Sequence, residues 1–86
     1  KEAYNNRGVT FYQQRYFQEA IQDYTRAIAL DSAFADARYD RSNAYFDTKQ
    51  YPLALQDLER VAPVYKDSAY VWIAKGTVLQ QLGRFD

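Results

Sequence analysis

The 86-residue sequence contains no cysteine, no histidine and no methionine, and it has only three glycines and two prolines. Without cysteine the chain can form neither a disulfide nor a zinc–thiolate site, and it has no thiol nucleophile. Without histidine it lacks the commonest general base and the commonest metal ligand. We therefore expect no catalytic residue, no metal site and no cofactor, and we do not expect an enzyme.

The charge balance and the short hydrophobic runs argue against two further classes of partner. Eleven Lys and Arg residues balance eleven Asp and Glu residues, whereas nucleic-acid-binding domains usually show a basic excess or a basic stripe. No apolar run approaches the ~20 residues that a membrane-spanning helix needs. We expect no nucleic acid and no membrane as partner, and a soluble protein that is cytoplasmic rather than secreted. Because methionine is missing even at position 1, we also expect a piece of a longer protein.

The aromatic residues are abundant, with nine Tyr, five Phe and one Trp, and many of them recur at an interval of 34 residues. The columns that this shift aligns include Gly8/Ser42/Gly76, Phe11/Tyr45/Leu79, Phe17/Tyr51/Phe85, Ala20/Ala54, Arg7/Arg41/Lys75 and Asp23/Asp57. Within each unit the apolar residues follow the 3.6-residue period of a helix. The predicted helices cover 2–14, 18–31, 35–48, 52–62 and 69–82. The sequence thus predicts an all-α chain of helix–turn–helix units with boundaries at 1–34, 35–68 and 69–86.

These columns resemble the tetratricopeptide repeat (TPR) family, whose unit has the same period and a similar pattern of aromatic and small residues. The matching residues are Tyr4, Gly8, Phe11, Phe17, Ala20, Tyr24 and Ala27, then Tyr45, Tyr51 and Ala54, then Trp72, Gly76, Leu79 and Phe85. The resemblance covers the whole chain as two full repeats and the first helix of a third. It implies a single α-solenoid domain of antiparallel helix pairs in a right-handed superhelix. The stretch Asn6-Arg7-Gly8 is similar to bacterial members.

The repeat pattern predicts how the helices pack. Small residues such as Ala20 and Ala54 should be buried where helices approach closely. The aromatic residues of the repeat columns should fill the core; these are Tyr4, Phe11, Phe17, Tyr24, Tyr45, Tyr51, Trp72 and Phe85. The recurring basic residue at position 7 could indicate an anion site, but we favour a packed aliphatic stem with its charged head in water. Pro63 should end the fourth helix early and disfavour helical geometry at Ala62.

The family resemblance also implies where a partner binds, because TPR arrays use a concave groove formed by the first helix of each repeat. The groove positions of this chain hold four carboxylates, four aromatic residues, and no Lys or Arg. We predict a peptide-binding site formed by Tyr12, Asp36, Tyr39, Asp40, Asn43, Phe46, Asp47 and Tyr70. In this hypothesis Tyr39, Asn43 and Phe46 form the centre, and the aspartates favour neutral or basic peptides over acidic ones. The predicted function is a protein–protein interaction module with a scaffold or adaptor role.

One known TPR activity depends on a clamp that holds the C-terminal carboxylate of a heat-shock protein. The five clamp positions carry Lys, Asn, Asn, Lys and Arg in the family, but here they hold Asn5, Val9, Asp40, Tyr70 and Ala74. None of the five matches, and the Asp40 carboxylate would repel an acidic tail. We therefore do not expect binding of a chaperone C-terminal carboxylate.

Three alternatives stay open at this point. The acidic pairs Asp36/Asp40 and Glu19/Asp23 have the i,i+4 spacing that could serve a cation or acid–base chemistry, although straight helices do not wrap a cation. The chain could also be a regulatory or targeting segment of a larger enzyme whose catalytic domain lies elsewhere. Finally, the third unit has no second helix, so its apolar side chains (Trp72, Leu79, Leu82 and Phe85) predict self-association at this end.

Overall fold

A computed structural model of the chain describes residues 1–83 as five helices, with no strand in that range. The helices are α1 (Glu2–Gln13), α2 (Phe17–Leu30), α3 (Ala35–Asp47), α4 (Tyr51–Val61) and α5 (Ala69–Gln81). Each boundary lies within one residue of its predicted position, and the all-α fold is confirmed. Helices α1 and α2 pack together, as do α3 and α4, while α2 contacts α3 and α4 contacts α5. The right-handed superhelical stacking stays a prediction.

Each first helix is followed, two residues beyond its end, by a residue with left-handed backbone geometry. Arg15, Lys49 and Gly83 have φ angles of 67°, 64° and 74°. In the first turn the Tyr16 amide donates to the Phe11 carbonyl at 2.8 Å, and the Gln50 amide donates to the Tyr45 carbonyl at the same distance. These bonds satisfy carbonyls that a helix end would otherwise leave unpaired. The turns are therefore short and repeat their geometry every 34 residues.

Small residues sit where the helices approach most closely. Ala20, Ala27 and Ala54 are fully buried, which confirms the prediction for Ala20 and Ala54. Gly8 shows why this position of the repeat holds a small residue. A Cβ built on Gly8 would lie 2.6 Å from Cε1 of the buried Tyr24 ring. The close contact of α1 and α2 thus depends on a residue without a side chain beneath an aromatic ring.

The eight aromatic residues predicted as core filling divide into three groups. Tyr24 is fully buried, while Phe11, Phe17, Tyr45 and Tyr51 are half-buried. Tyr4 and Trp72 are 37% and 54% exposed, so the prediction of a core position is wrong for both. The Tyr4 ring lies in the first turn of α1 and is faced by Arg7 and Arg26. Trp72 lies on the side of α5 that no described helix covers, and Phe85 lies outside the described residues.

Helix α4 is shorter than α2, with eleven residues instead of fourteen. It ends at Val61, two residues before Pro63, which confirms the predicted early end. The prediction of non-helical geometry at Ala62 is wrong, since this residue has φ −54° and ψ −43°. The amides of Val64 and Tyr65 both donate to the Val61 carbonyl at 2.9 Å, so the chain makes one more turn without an amide hydrogen at Pro63.

The recurring charges of the repeat columns form ion pairs between the two helices of a unit. Arg41 donates from Nε and Nη2 to both carboxylate oxygens of Asp57, each at 2.8 Å. Arg7 binds Asp23 in the same bidentate manner, at 2.7 and 2.9 Å. Both aspartates are buried, and Arg26 adds a second contact to Asp23 at 2.9 Å. The expectation that the charged head reaches water is therefore wrong for Arg41, whose side chain is only 16% exposed. The Arg7 side chain is 56% exposed but also binds a buried carboxylate, which needs a cationic partner.

Candidate functional site

The predicted site residues lie on α1, α3 and α5, the first helices of the three units. Helix α1 contacts α3 directly, and α3 and α5 line two clefts between them. Residues at positions 2, 5, 6, 9, 12 and 13 of each unit share one face of an α-helix because of its 3.6-residue period. We refer to this face of α1, α3 and α5 as the groove.

The first cleft contains Tyr39 and Tyr70 from the predicted site. Its other lining residues are Tyr65, Ser68 and Val71, and its volume is about 240 Å³. Val71 is buried and belongs to the floor, whereas Tyr70 is 76% exposed at the rim. The structure thus brings three tyrosine rings to one opening, and we call this opening the tyrosine cleft.

The second cleft contains Asn43 and Phe46, one and two turns further along α3. Across from them lie Ala74 and Thr77 of α5, and the volume is about 180 Å³. The Phe46 ring packs edge-on against Tyr51 with ring centroids 5.4 Å apart, which fixes its orientation. The predicted centre of the site is therefore divided, with Tyr39 in one cleft and the other two residues in the next.

Two of the predicted carboxylates accept hydrogen bonds from tyrosine hydroxyls, one of the neighbouring unit and one of the same unit. The Tyr12 hydroxyl donates to Asp47, and the Tyr65 hydroxyl donates to Asp36. Burial raises the pKa of Tyr65 to about 12, and the hydrogen bond to Asp36 adds to this rise. At neutral pH the Tyr65 phenol is therefore protonated and remains a donor. The two hydrogen bonds hold Asp36 and Asp47 in fixed positions at the groove.

Asp40 is the least solvated of the groove carboxylates. Desolvation by burial raises its pKa to about 6, the negative charge of Asp36 acts in the same direction, and hydrogen bonding from Asn5 opposes the rise. Asn5 itself is buried, and its Oδ1 atom has no hydrogen-bond partner among residues 1–83. Asp40 thus contributes less negative charge to the groove at mildly acidic pH than its sequence position suggests.

Tyr65 is the groove residue that sequence reasoning missed. It lies in the connection between α4 and α5, at a position where the first unit has Asp31. Because the repeat has no fixed residue there, the alignment of the two units contains no signal for it. Its neighbours in the cleft are groove residues, so only the folded chain shows that it belongs to the site.

Other features of the described residues do not add chemistry to the groove. Asp23 belongs to the acidic pair with Glu19, and both of its carboxylate oxygens are bound by Arg7 and Arg26. Among residues 1–83 no three acidic side chains come close enough to share a metal ion. In the same range no helix combines the length and hydropathy that crossing a bilayer requires.

Comparison with known proteins identifies the repeat. The family model described as the tetratricopeptide repeat matches residues 2–34, which are α1, α2 and the start of the following turn. The chain belongs to the tetratricopeptide repeat family. The second unit of this TPR chain repeats the ion pair, the turn and the buried alanine of the first.

The chain is also similar to three longer proteins. It is 34% identical over 77 residues to "DnaJ homolog subfamily C member 7" of Homo sapiens and 32% identical over 77 residues to the protein of that name in Mus musculus. It is 31% identical over 80 residues to "Heat shock protein sti1 homolog" of Schizosaccharomyces pombe. These matches cover 90–93% of this chain but only 14–16% of the three relatives. The described residues form a protein-interaction module of the TPR type.

Proposed function

We propose that this module binds a peptide segment of a partner protein in the groove and so acts as a scaffold or adaptor, with units at 1–34, 35–68 and 69–86. The observation that supports the proposal is the pair of clefts between α3 and α5, which are lined by Tyr39, Tyr70 and Phe46. Aromatic side chains on a rigid helix offer large contact areas at a small cost in conformational entropy. An extended peptide across α3 would contact both clefts.

The charge of the groove sets the chemistry of the peptide. Asp36, Asp40 and Asp47 lie along α3 on this face, and the groove positions of α1, α3 and α5 hold no Lys or Arg. Attraction between exposed charges amounts to only about 1 kcal/mol at contact distance in water. The carboxylates therefore select neutral or basic segments and disfavour acidic ones, while the aromatic contacts supply most of the affinity.

Chaperones are a second class of candidate partner, because the relatives carry DnaJ and heat-shock names. A carboxylate clamp is not part of this proposal. Asp40 and Asn5 occupy two clamp positions, and the Asp36 side chain, one helical turn before Asp40, is also negative. A free C-terminal carboxylate would meet repulsion there, so a chaperone partner would have to present a neutral or basic internal segment.

Self-association through α5 is a further proposal that rests on its own observation. Trp72 is 54% exposed. Gly76 is the counterpart of Gly8 in the third unit, and a Cβ built on Gly76 would have no atom within 4 Å. A second copy could cover this face. Sedimentation of the purified chain across a wide concentration range tests this, with Trp72→Gln as the variant that should shift the equilibrium toward monomer.

The groove proposal can be tested with a phage-displayed library of random 12-residue peptides. We expect the selected peptides to be rich in Lys, Arg and apolar residues, and to lose affinity when Tyr39 is replaced by Ala. Tyr39→Phe keeps the ring and should bind almost normally, and Tyr16→Ala removes an exposed ring outside the groove. Circular dichroism of each variant shows that the helices remain. Selection of acidic peptides with free carboxyl ends, or equal binding by Tyr39→Ala, would contradict the proposal.

A further inference from the structure

The aromatic rings of this chain fall into two sets that differ in what faces them. Five rings have a cation of the chain itself within 6 Å: Tyr4, Phe17, Phe34, Tyr45 and Trp72. Among residues 1–83 no Lys or Arg faces a ring of the tyrosine cleft in this way, although all three of its rings line one opening. The chain thus pairs cations with aromatic faces repeatedly. Six other rings among the described residues also have no such cation, but the tyrosine cleft brings three of these rings without a cation to one opening.

From this difference we propose that the tyrosine cleft binds the ammonium end of a lysine side chain of the partner peptide, an assignment that rests on the proposed groove function. The three rings come from different elements: Tyr39 from α3, Tyr65 from the connection after α4, and Tyr70 from α5. Aromatic faces carry partial negative charge and attract ammonium groups, most strongly when several rings surround the cation.

The dimensions of the cleft suit a lysine side chain. The volume of the cleft, about 240 Å³, leaves room for several water molecules. The rings do not stack on one another as Phe46 and Tyr51 do, so the space between them stays open. Ser68 and buried Val71 complete the lining, and an aliphatic stem can pack on the apolar part while its charged end meets the ring faces.

Charge complementarity favours a cation over a neutral group in this cleft. Asp36 accepts the hydrogen bond from the Tyr65 hydroxyl, which places a carboxylate beside the hydroxyl end of one ring. The negative charge of Asp40 also influences Tyr65. None of the five lining residues is Lys or Arg, so no positive group of the cleft itself would repel the ligand.

The experiment uses two probes that separate this inference from the groove proposal. The first is a small-molecule set: N-acetyl-lysine methylamide, its Nε-trimethyl derivative, and the neutral analogue with a tert-butyl group. Nuclear magnetic resonance of the tyrosine ring protons measures their binding to the intact chain. We expect the two cations to bind in the millimolar range and the neutral analogue several-fold more weakly, since only the cations interact with the ring charge.

Variants of the cleft make the assignment specific. Tyr70→Ala should weaken the trimethyl probe roughly two- to fivefold, whereas Tyr70→Phe, which keeps the ring, should bind like the unmodified chain. Tyr70 is 76% exposed, so neither change endangers the fold. Tyr16→Ala removes an exposed ring in the turn between α1 and α2; it is the matched control and should leave the affinity unchanged. Equal binding of the cationic and neutral probes, or equal loss in the Tyr70→Phe and Tyr70→Ala variants, would overturn the lysine assignment.

The second probe is the highest-affinity peptide from the phage selection. Each of its lysines is replaced by norleucine, which keeps the aliphatic stem and removes the charge. We expect the replacement of one lysine to weaken binding of the peptide to the unmodified chain but not to the Tyr70→Ala variant. A peptide that binds in the groove without a sensitive lysine, or whose sensitive residue is arginine, overturns this inference and leaves the groove proposal standing. Failure to select any groove-binding peptide contradicts the groove proposal, and the small molecules still test the cleft.

Discussion

Gly8 and Gly76 occupy the same position in the first and third units, but their surroundings differ completely. Beside Gly8 the Tyr24 ring of α2 lies so close that a methyl group would not fit, whereas nothing lies within 4 Å of a Cβ at Gly76. The same contrast holds for the basic residue one position earlier. Arg7 is bound to the buried Asp23, while Lys75 lies over the exposed Trp72 ring. A residue of a repeat therefore acquires its structural role only from the helix that packs against it.

The largest expected effect comes from the ion pairs that distinguish packed from open units. Asp57→Asn should lower the free energy of unfolding by about 3 kcal/mol, because Arg41 is then left largely buried without a carboxylate. Asp23→Asn should cost less, about 1–2 kcal/mol, since Arg7 is half-exposed and can turn to water. Lys75→Gln should change stability by less than ~0.5 kcal/mol.

Urea denaturation of the three variants measures this order. The double substitution of Asp57 and Arg41 by apolar residues of similar size is the control, since it removes both charges and should recover much of the loss. If Lys75→Gln cost as much as Asp57→Asn, the described packing of the third unit would be incorrect.

The two glycines should respond to the same substitution with opposite signs. Gly8→Ala should lower the free energy of unfolding by about 1–2 kcal/mol, because the new methyl group would displace the buried Tyr24 ring. Gly76→Ala should raise it by about 0.5–1 kcal/mol, since alanine favours the helix and meets no neighbour.

A second substitution identifies the cause of the loss at Gly8. In the second unit the equivalent residues are Ser42 and Leu58, so a smaller side chain at position 24 accommodates a larger one at position 8. Tyr24→Leu in the Gly8→Ala background should cost less than Tyr24→Leu alone, which a double-mutant cycle by urea denaturation measures. Additive effects of the two substitutions would rule out the steric explanation.

The free energy of unfolding should depend on pH in opposite ways through Asp40 in the groove and through the ion-paired Asp23. Folding raises the pKa of Asp40 from 3.8 to about 6, so the folded chain binds more protons than the unfolded chain between these values. The free energy of unfolding should therefore fall as the pH rises from about 4 to 6, by about 1–2 kcal/mol after allowance for partial exposure. Asp23 acts oppositely, because its arginine partners lower its pKa and its contribution is lost only below about pH 4.

Asp40→Asn separates these contributions. The variant should be more stable than the unmodified chain near pH 7 and should lose the decline between about pH 4 and 6. Asn5, Asp36 and the hydroxyls of Tyr12 and Tyr24 stay in place around position 40. The carboxyl carbon of Asp40, followed by nuclear magnetic resonance, should titrate near pH 6. Titration near its ordinary pKa would show that the carboxylate is solvated.

The fold was predictable because one shift of the sequence aligned its core positions. Ala20, Ala54 and the helix boundaries follow from apolar and small residues that recur in both full units. The ion pairs also recur, at Arg7/Arg41 and Asp23/Asp57, and the pairing could have been found by treating these two columns together. It was missed because each charge was considered alone, as a solvated residue.

The groove was less predictable because it depends on contacts between residues that are far apart in the sequence. The list of aromatic and acidic positions followed from helix geometry, but the hydrogen bonds from Tyr12 to Asp47 and from Tyr65 to Asp36 join residues 35 and 29 positions apart. Neither pair of residues recurs at the equivalent positions of another unit. The burial of Asp40 likewise results from how α1 approaches α3, which the periodicity of one helix does not determine.

The smallest expected effect concerns the turn residues that the packed and open units share. Arg15, Lys49 and Gly83 all have positive φ angles, but only glycine adopts this geometry without steric cost. Lys49→Gly should therefore raise the free energy of unfolding by about 0.5 kcal/mol, part of the gain being offset by the greater freedom of glycine in the unfolded chain. The gain for Arg15→Gly should be smaller, because the Arg15 guanidinium lies 5.5 Å from the centre of the Phe17 ring.

Gly83→Ala should act in the opposite direction and only weakly, since the turn after α5 precedes no described helix whose packing would depend on it. A thermal melt should show the Lys49→Gly gain as a rise of about 2–4 °C in Tm. Lys49→Ala is the control, because it removes the same charge and length while keeping a Cβ, and it should not stabilise the chain. If Lys49→Ala raised Tm as much as Lys49→Gly, the gain would come from the lost lysine side chain, and the left-handed geometry at position 49 would cost the protein nothing measurable.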